Sequence, residues 1–399
     1  METRDVLDES VKTVRVGFVG CGRVTETHHL AALRRVRGVE AVALSDVDAA
    51  RLSRVADAYG VARRYADWRG LLDDACVDAV AVCVPPALHA EIAPAAIDAG
   101  KHVFIEKPLA LALDDCDLIA RRAASVAGLK AAVGFNMRRH RLVREARERA
   151  ARGELGRVKL VRTVFASGSR AHADNPAWRT RRESGGGAIF ELGTHHFDLV
   201  RFMLGREVLE VYASSDERDE TSIVTLKMDG GVQVSASFSE GTCEGHELEF
   251  YGERGWLRVS CYRADGIERL DAGQYAGSLR ARVNGLARTL RALPRMFVQS
   301  RRGGDYVSSY AEEWRHFAEA VRGRAEVCAT LEDGRRALEI ALAAHESSRT
   351  GRAVKIVESA ALKNDESEAL KNTEDGALRI NVVREIDAAP RQPDRSESA

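Results

Sequence analysis

Between residues 14 and 135 the chain alternates regularly between short apolar, β-branched runs and longer stretches with helical spacing. Strand-like runs at 14–20, 40–44, 78–84, 102–105 and 131–135 are separated by helix-like stretches at 23–37, 49–59, 88–99 and 113–127. Consecutive parallel strands need a crossover, and a helix supplies one while covering a sheet face. The alternation therefore predicts a parallel sheet with helices on both sides. The C-terminal ends of all its strands then share one edge, where open sheets of this kind take up ligands.

Beyond a basic helix candidate at 138–152 the rhythm changes. Strand-like runs follow at 158–166, 210–215, 222–227, 232–239, 246–251 and 256–260, most joined by Gly or charged turns. Short connections favour antiparallel pairing, so an α+β region follows the α/β one. Helix-like stretches at 307–322 and 331–349 and a short strand at 353–357 complete it. The expected organisation is a tail at 1–13, a first domain at 14–135, a second at 136–357, and a tail at 358–399. The last lacks aromatics, is rich in Ser, Asp, Glu and Ala, and is expected to be disordered.

Lys plus Arg and Asp plus Glu number 60 each, so no overall field favours nucleic acid or a membrane, and neither is an expected partner. The seven cysteines include no Cys-x-x-Cys pair, and the polar, acidic residues 1–10 do not resemble a signal peptide. A reducing, cytoplasmic location is expected. One segment departs from the neutral average. Residues 272–304 contain seven arginines and no acid, with Leu279, Val283, Leu286, Leu290, Leu293 and Phe297 on one helical stripe. The expectation is a helix packed on the second domain or on a partner subunit. The alternative is a surface for anionic ligands or a membrane.

Gly20-Cys21-Gly22 closes the first strand, and Arg23 and Val24 open the helix after it. The first glycine permits a tight turn, the second lets the backbone approach a pyrophosphate, and the helix N-terminus faces the phosphates. Thr25 stands at the third glycine position. Asp46, after the second strand and 24 residues beyond Gly22, is placed to accept hydrogen bonds from an adenosine ribose and to repel a 2′-phosphate. The bound cofactor is thus expected to be NAD rather than NADP. Asp48 is the competing acid, better read as the cap of the next helix. Pro85 and His89, after another strand, lie on the same rim and are expected to contact the cofactor, as are Arg23, Val24, Glu106 and Lys107. Glu106, Lys107 and Pro108 share that rim, where an amine could hydrogen-bond and polarise a substrate hydroxyl.

A second cluster is Gly185-Gly186-Gly187 followed by Glu191, His195 and Asp198. The spacings of 4 and 3 predict one helix face carrying all three, suited to proton transfer and hydroxyl binding. No third ligand accompanies the Glu-x-x-x-His spacing, so no metal is expected. His196 points elsewhere and is read as packing.

On the glycine turn, Glu106-Lys107-Pro108, and the Gly-rich segment ending in His195 and Asp198, the chain resembles the Gfo/Idh/MocA oxidoreductase family. That family includes glucose–fructose oxidoreductase and inositol dehydrogenase, and the resemblance covers residues 14–357. It implies a Rossmann dinucleotide-binding domain, then an α/β domain with a large, mostly antiparallel open sheet. It implies hydride transfer between NAD and a secondary alcohol or ketone of a sugar, nucleotide sugar or cyclitol, and a homodimer or homotetramer. Lys107 matches the family's catalytic lysine, and Glu191 and His195 match its Asp-x-x-x-His pair, with the acid longer by one methylene. Trp178-Arg179 matches its Trp-Arg pair, so Arg179 is expected at substrate or cofactor. Pro86 stands where relatives often have Asn, and the Lys-Pro bond is often cis in relatives. A cofactor-sensing regulator, or an NAD-dependent glycosidase or lyase using transient oxidation, are the alternative activities of such a fold.

Overall fold

The computed structural model describes residues 12–168, 176–181, 184–301 and 303–356; the two tails expected from the sequence lie outside the described residues. The first sheet contains β1 (Val14–Val19), β2 (Val39–Ser45), β3 (Arg63–Tyr65), β4 (Ala79–Val82), β5 (His102–Glu106) and β6 (Ala131–Gly134). Its order is β3-β2-β1-β4-β5-β6, every pairing parallel. The order reverses between β1 and β4, so the loops after these strands diverge and leave a crevice at their C-terminal ends.

The covering helices are α1 (Leu30–Leu33, continuing a π-turn at Thr25–His29), α2 (Ala49–Tyr59), α3 (Trp68–Leu72), α4 (His89–Asp98) and α5 (Leu113–Ala124). Local chemistry sets the limits of α2. The Asp48 carboxylate accepts the Arg51 N–H, and the helix stops at Gly60, whose φ of 73° is left-handed. β3 and α3 carry no clear periodicity in the sequence because they are short and half-exposed.

The second sheet contains β7 (Val158–Ala166), β8 (Val208–Ser215), β9 (Thr221–Met228), β10 (Gln233–Ser239), β11 (Gly245–Gly252), β12 (Gly255–Ser260), β13 (Ile267–Asp271) and β14 (Val354–Lys355). The order is β13-β12-β11-β7-β10-β9-β8-β14; β7 and β10 pair in parallel, and all other neighbours are antiparallel. Residues alternate strictly between exposed and buried along β9, as expected of a sheet with one covered face.

Five helices accompany it: α6 (Arg141–Ala151), α7 (Thr194–Leu204), α8 (Leu279–Arg301), α9 (Gly304–Val321) and α10 (Leu331–Thr350). α10 is fixed at its start by a reciprocal capping box between Thr330 and Asp333. α9 does not stay with the second sheet. Its Trp314 is fully buried and stacks on Phe104 of β5 at 4.7 Å, with Phe18 of β1 at 5.5 Å. The boundary expected after residue 135 is therefore crossed by a later helix that completes the core of the first sheet.

α8 does not bury its stripe on the second domain. Its stripe is not packed away: Leu279, Val283, Leu286, Leu290 and Leu293 expose 79, 57, 64, 55 and 49% of their surface. The helix is held from its other side, where Ala281 is buried, Thr289 donates to Asp265 and Gln299 donates to Asp305.

Candidate active site

Gly20 ends β1 at φ 97°, and a Cβ there would fall 2.3 Å from the Cys83 carbonyl oxygen, so no other residue fits. At Gly22 a Cβ would meet nothing within 4 Å: the turn opens onto free space in front of the helix start. Thr25 does not weaken the motif. Its buried hydroxyl donates to the Gly20 carbonyl at 2.7 Å and closes the turn from below. Asp46 is nearly buried; its carboxylate accepts the N–H groups of Cys21 at 2.8 Å and Asp48 at 2.9 Å. Arg23 is exposed and Val24 half-buried beside this cradle. An open backbone approach, a helix N-terminus and a carboxylate 24 residues downstream fit a dinucleotide.

His89 belongs to the scaffold of this rim. Its ring is fully buried, with Nε2 3.0 Å from the Val84 carbonyl and Nδ1 3.1 Å from that of Pro108. It ties the loop after β4, which carries Pro85, to the loop after β5. Burial lowers its pKa below the usual imidazole value.

Glu106 is likewise occupied by the protein. Trp314 Nε1–H donates to His29 Nδ1 at 3.1 Å, and His29 Nε2 lies 2.8 Å from Glu106 Oε1. An indole only donates, so Nδ1 accepts, the His29 proton sits on Nε2, and Glu106 receives it. The other Glu106 oxygen accepts the Lys107 N–H at 3.1 Å. Burial opposes ionisation of Glu106, but His29 and then Lys107 outweigh it and hold its pKa below the ordinary value. The residues that aim Lys107 thus include His29 and Trp314. No local motif marks either, because they join Glu106 from positions 77 residues before it and 208 after it. The Lys107–Pro108 peptide is cis.

Lys107 Nζ donates to the backbone carbonyl of Glu191 at 2.9 Å and to its carboxylate at 3.2 Å. Arg179, in a short turn at Ala177–Thr180, donates to the same carboxylate oxygen at 2.7 Å. The glycines before Glu191 make this possible: a Cβ on Gly186 would sit 2.1 Å from the Arg179 carbonyl oxygen. Burial alone would raise the Glu191 pKa, but Lys107 and then Arg179 override it and bring it to about 2. An ammonium has three donors, and Glu191 occupies two of those on Lys107, leaving one for a further acceptor.

His195 lies on α7 between Phe135 and Phe165, at ring distances of 6.2 and 6.1 Å. Burial first, and then the Lys107 ammonium, push its pKa well below the usual value, so it is a neutral imidazole at pH 7. His196 is packing, as expected: fully buried, it stacks on Phe165 and on His246.

Asp198 does not join this group. It is fully buried, and its two oxygens accept from Arg138 Nε at 2.8 Å and Nη2 at 2.5 Å. Residues Ile189–Gly193 form a π-turn before α7, and the Asp198 carboxylate is taken up by Arg138 instead of standing with Glu191 beside Lys107.

The family model for the "Oxidoreductase family, NAD-binding Rossmann fold" matches residues 14–135, and that for the "GFO/IDH/MocA C-terminal domain" matches residues 143–258. A myo-inositol 2-dehydrogenase of Thermotoga maritima is 30% identical over 86% of this chain and 99% of its own. A probable dehydrogenase of known structure from the same organism superposes with a TM-score of 0.69 at 26% identity, covering 86% of this chain and 98% of that one. The WlbA dehydrogenase of Bordetella pertussis, solved with NADH and UDP-GlcNAcA, shares the fold at 23% identity and a TM-score of 0.72, over 87% of this chain and 98% of that one. With a parallel dinucleotide-binding sheet followed by a mostly antiparallel one, and with both family models matched in that order, the chain belongs to the Gfo/Idh/MocA family of NAD-binding oxidoreductases.

Proposed function

We propose that the protein transfers a hydride between NAD(H) and a secondary alcohol or ketone of a sugar, nucleotide sugar or cyclitol. The observation that carries this is the Lys107 ammonium held 3.2 Å from the buried Glu191 carboxylate, with His195 near enough for the Lys107 charge to help keep its imidazole neutral. When bound at the glycine turn, NAD supplies the hydride acceptor or donor. The chain does the rest. Neutral His195 takes the hydroxyl proton during oxidation and returns it during reduction. Lys107 gives its remaining N–H to the reacting oxygen and stabilises charge developing there. Glu191 and Arg179 keep Lys107 from swinging away.

The 30% identity to a myo-inositol 2-dehydrogenase supports a polyol substrate. Asp46 supports NAD over NADP, because its charge would oppose a 2′-phosphate. A homodimer or homotetramer joined through the outer face of the second sheet is part of the same reading. That face exposes Leu160, Tyr212 and Ile223 among polar neighbours. A cytoplasmic location is supported by seven cysteines that are all free thiols.

The test is a panel of cyclitols, free sugars and nucleotide sugars with NAD(H) and NADP(H), read by nicotinamide absorbance. Turnover with at least one polyol is expected, lost in Lys107→Ala and in His195→Ala while NADH still binds. Near-normal turnover in both variants would overturn the assignment.

A further inference from the structure

α8 is 23 residues long, about 34 Å, and carries the largest group of exposed apolar side chains in the described structure. At 100° per residue, Leu279, Val283, Leu286, Leu290 and Leu293 fall within an arc of about 80°. The buried Ala281 lies on the opposite side, so the helix rests on the protein by its back and offers its apolar stripe outward. Arg282 borders one side of the stripe and Arg280 flanks the other, with Arg291 and Arg295 farther round the helix; all four are exposed. The helix contains no acid. Asp265 and Glu268 lie beneath it, where they meet Thr289 and Arg288.

An outward apolar stripe of this length is a surface awaiting a partner. We infer that α8 docks on the surface of an anionic lipid bilayer, lying in the interface with its leucines inserted and its arginines on lipid phosphates. Two observations favour this over a second copy of the chain. Stripe-on-stripe pairing would bring two acid-free, arginine-bordered helices together, whereas an anionic interface satisfies the apolar and the basic surface at once. The basic groups are arginines, whose guanidinium geometry matches phosphate oxygens. Among the described residues no helix is long and apolar enough to cross a membrane, so the association is peripheral. The balance of 60 basic and 60 acidic residues hides this feature, because the excess is local to one element.

The test is co-sedimentation of the full chain with vesicles of phosphatidylcholine alone and of equal parts phosphatidylcholine and phosphatidylglycerol. Binding to the anionic vesicles and a clear preference over the neutral ones are expected. Each of Arg280→Gln and Arg282→Gln should weaken it by about fivefold. The double variant Leu286→Asp/Leu290→Asp should abolish it with no fall in melting temperature, since both sites are exposed. Absence of binding to anionic vesicles, or equal binding by the double variant, would overturn the inference. So would light scattering in which the same variant breaks an oligomer that ignores vesicles, because a second copy would then be what covers the stripe.

Discussion

The Glu191 carboxylate lies 3.2 Å from the Lys107 ammonium, and Lys107 also donates to the Glu191 backbone carbonyl at 2.9 Å. Lys107 follows β5 and Glu191 lies in the π-turn before α7, 84 positions later. Lys107 is aimed from two directions: from behind through Glu106, His29 and Trp314, and from the side through Glu191. One Glu191 carboxylate oxygen accepts from Lys107 and Arg179 together. In this arrangement Glu191 positions the amine.

Glu191→Gln keeps the shape of the side chain and removes its charge. It should lower kcat by about tenfold to a hundredfold, as a misaligned polarising group does, while NADH affinity is essentially unchanged. Steady-state kinetics with NADH fluorescence titration reads both. A rise in KM alone, with kcat intact, would instead mark Glu191 as a substrate contact.

Acidification should act first through His195. Its folded pKa lies well below 6.5, so the neutral base persists as the pH falls through 6.5, and alcohol oxidation should show no inflection there. The sign for stability follows from proton counting. Below pH 6.5 the unfolded chain binds a proton that folded His195 refuses, so a penalty grows as pH falls. Glu191, at about 2 against 4.5, contributes stability that is present above 4.5 and lost as the pH drops towards 2. The melting temperature should therefore fall on acidification in two stages. His195→Gln should lessen the first, which His89, His196 and His246 share because burial lowers their pKa values too, and thermal scans across pH would show it.

Arg138 and Asp198 form a buried pair with side chains 5 and 1% exposed. Asp198→Ala leaves that guanidinium short of a partner and should cost about 3–5 kcal/mol of stability, read by denaturant melts. KM for the substrate should not change in the surviving folded enzyme. The opposite pattern, a raised KM at unchanged stability, would return Asp198 to the substrate site.

The parallel sheet was legible because its strands are continuous β-branched runs bounded by glycines, and helices such as α2 carry their own caps. The glycine turn, Asp46, Lys107 and His195 were legible because each follows or opens a periodic element. Asp198 was placed by helical spacing alone, which does not show the Arg138 guanidinium, 60 positions earlier, that takes up its carboxylate. α8 was legible as an amphipathic helix, but periodicity fixes only which residues share a face, not what that face meets.

The sequence by itself determined the elements and most of the chemistry-bearing positions, since hydrophobic period, glycine and caps act over a few residues. Only the tertiary structure decided the partners. Glu106 meets His29, His29 meets Trp314, Lys107 meets Glu191, and Asp198 turns to Arg138. Each of these pairings joins residues at least 60 positions apart, and a buried charge takes whichever partner the packed core brings within hydrogen-bond reach.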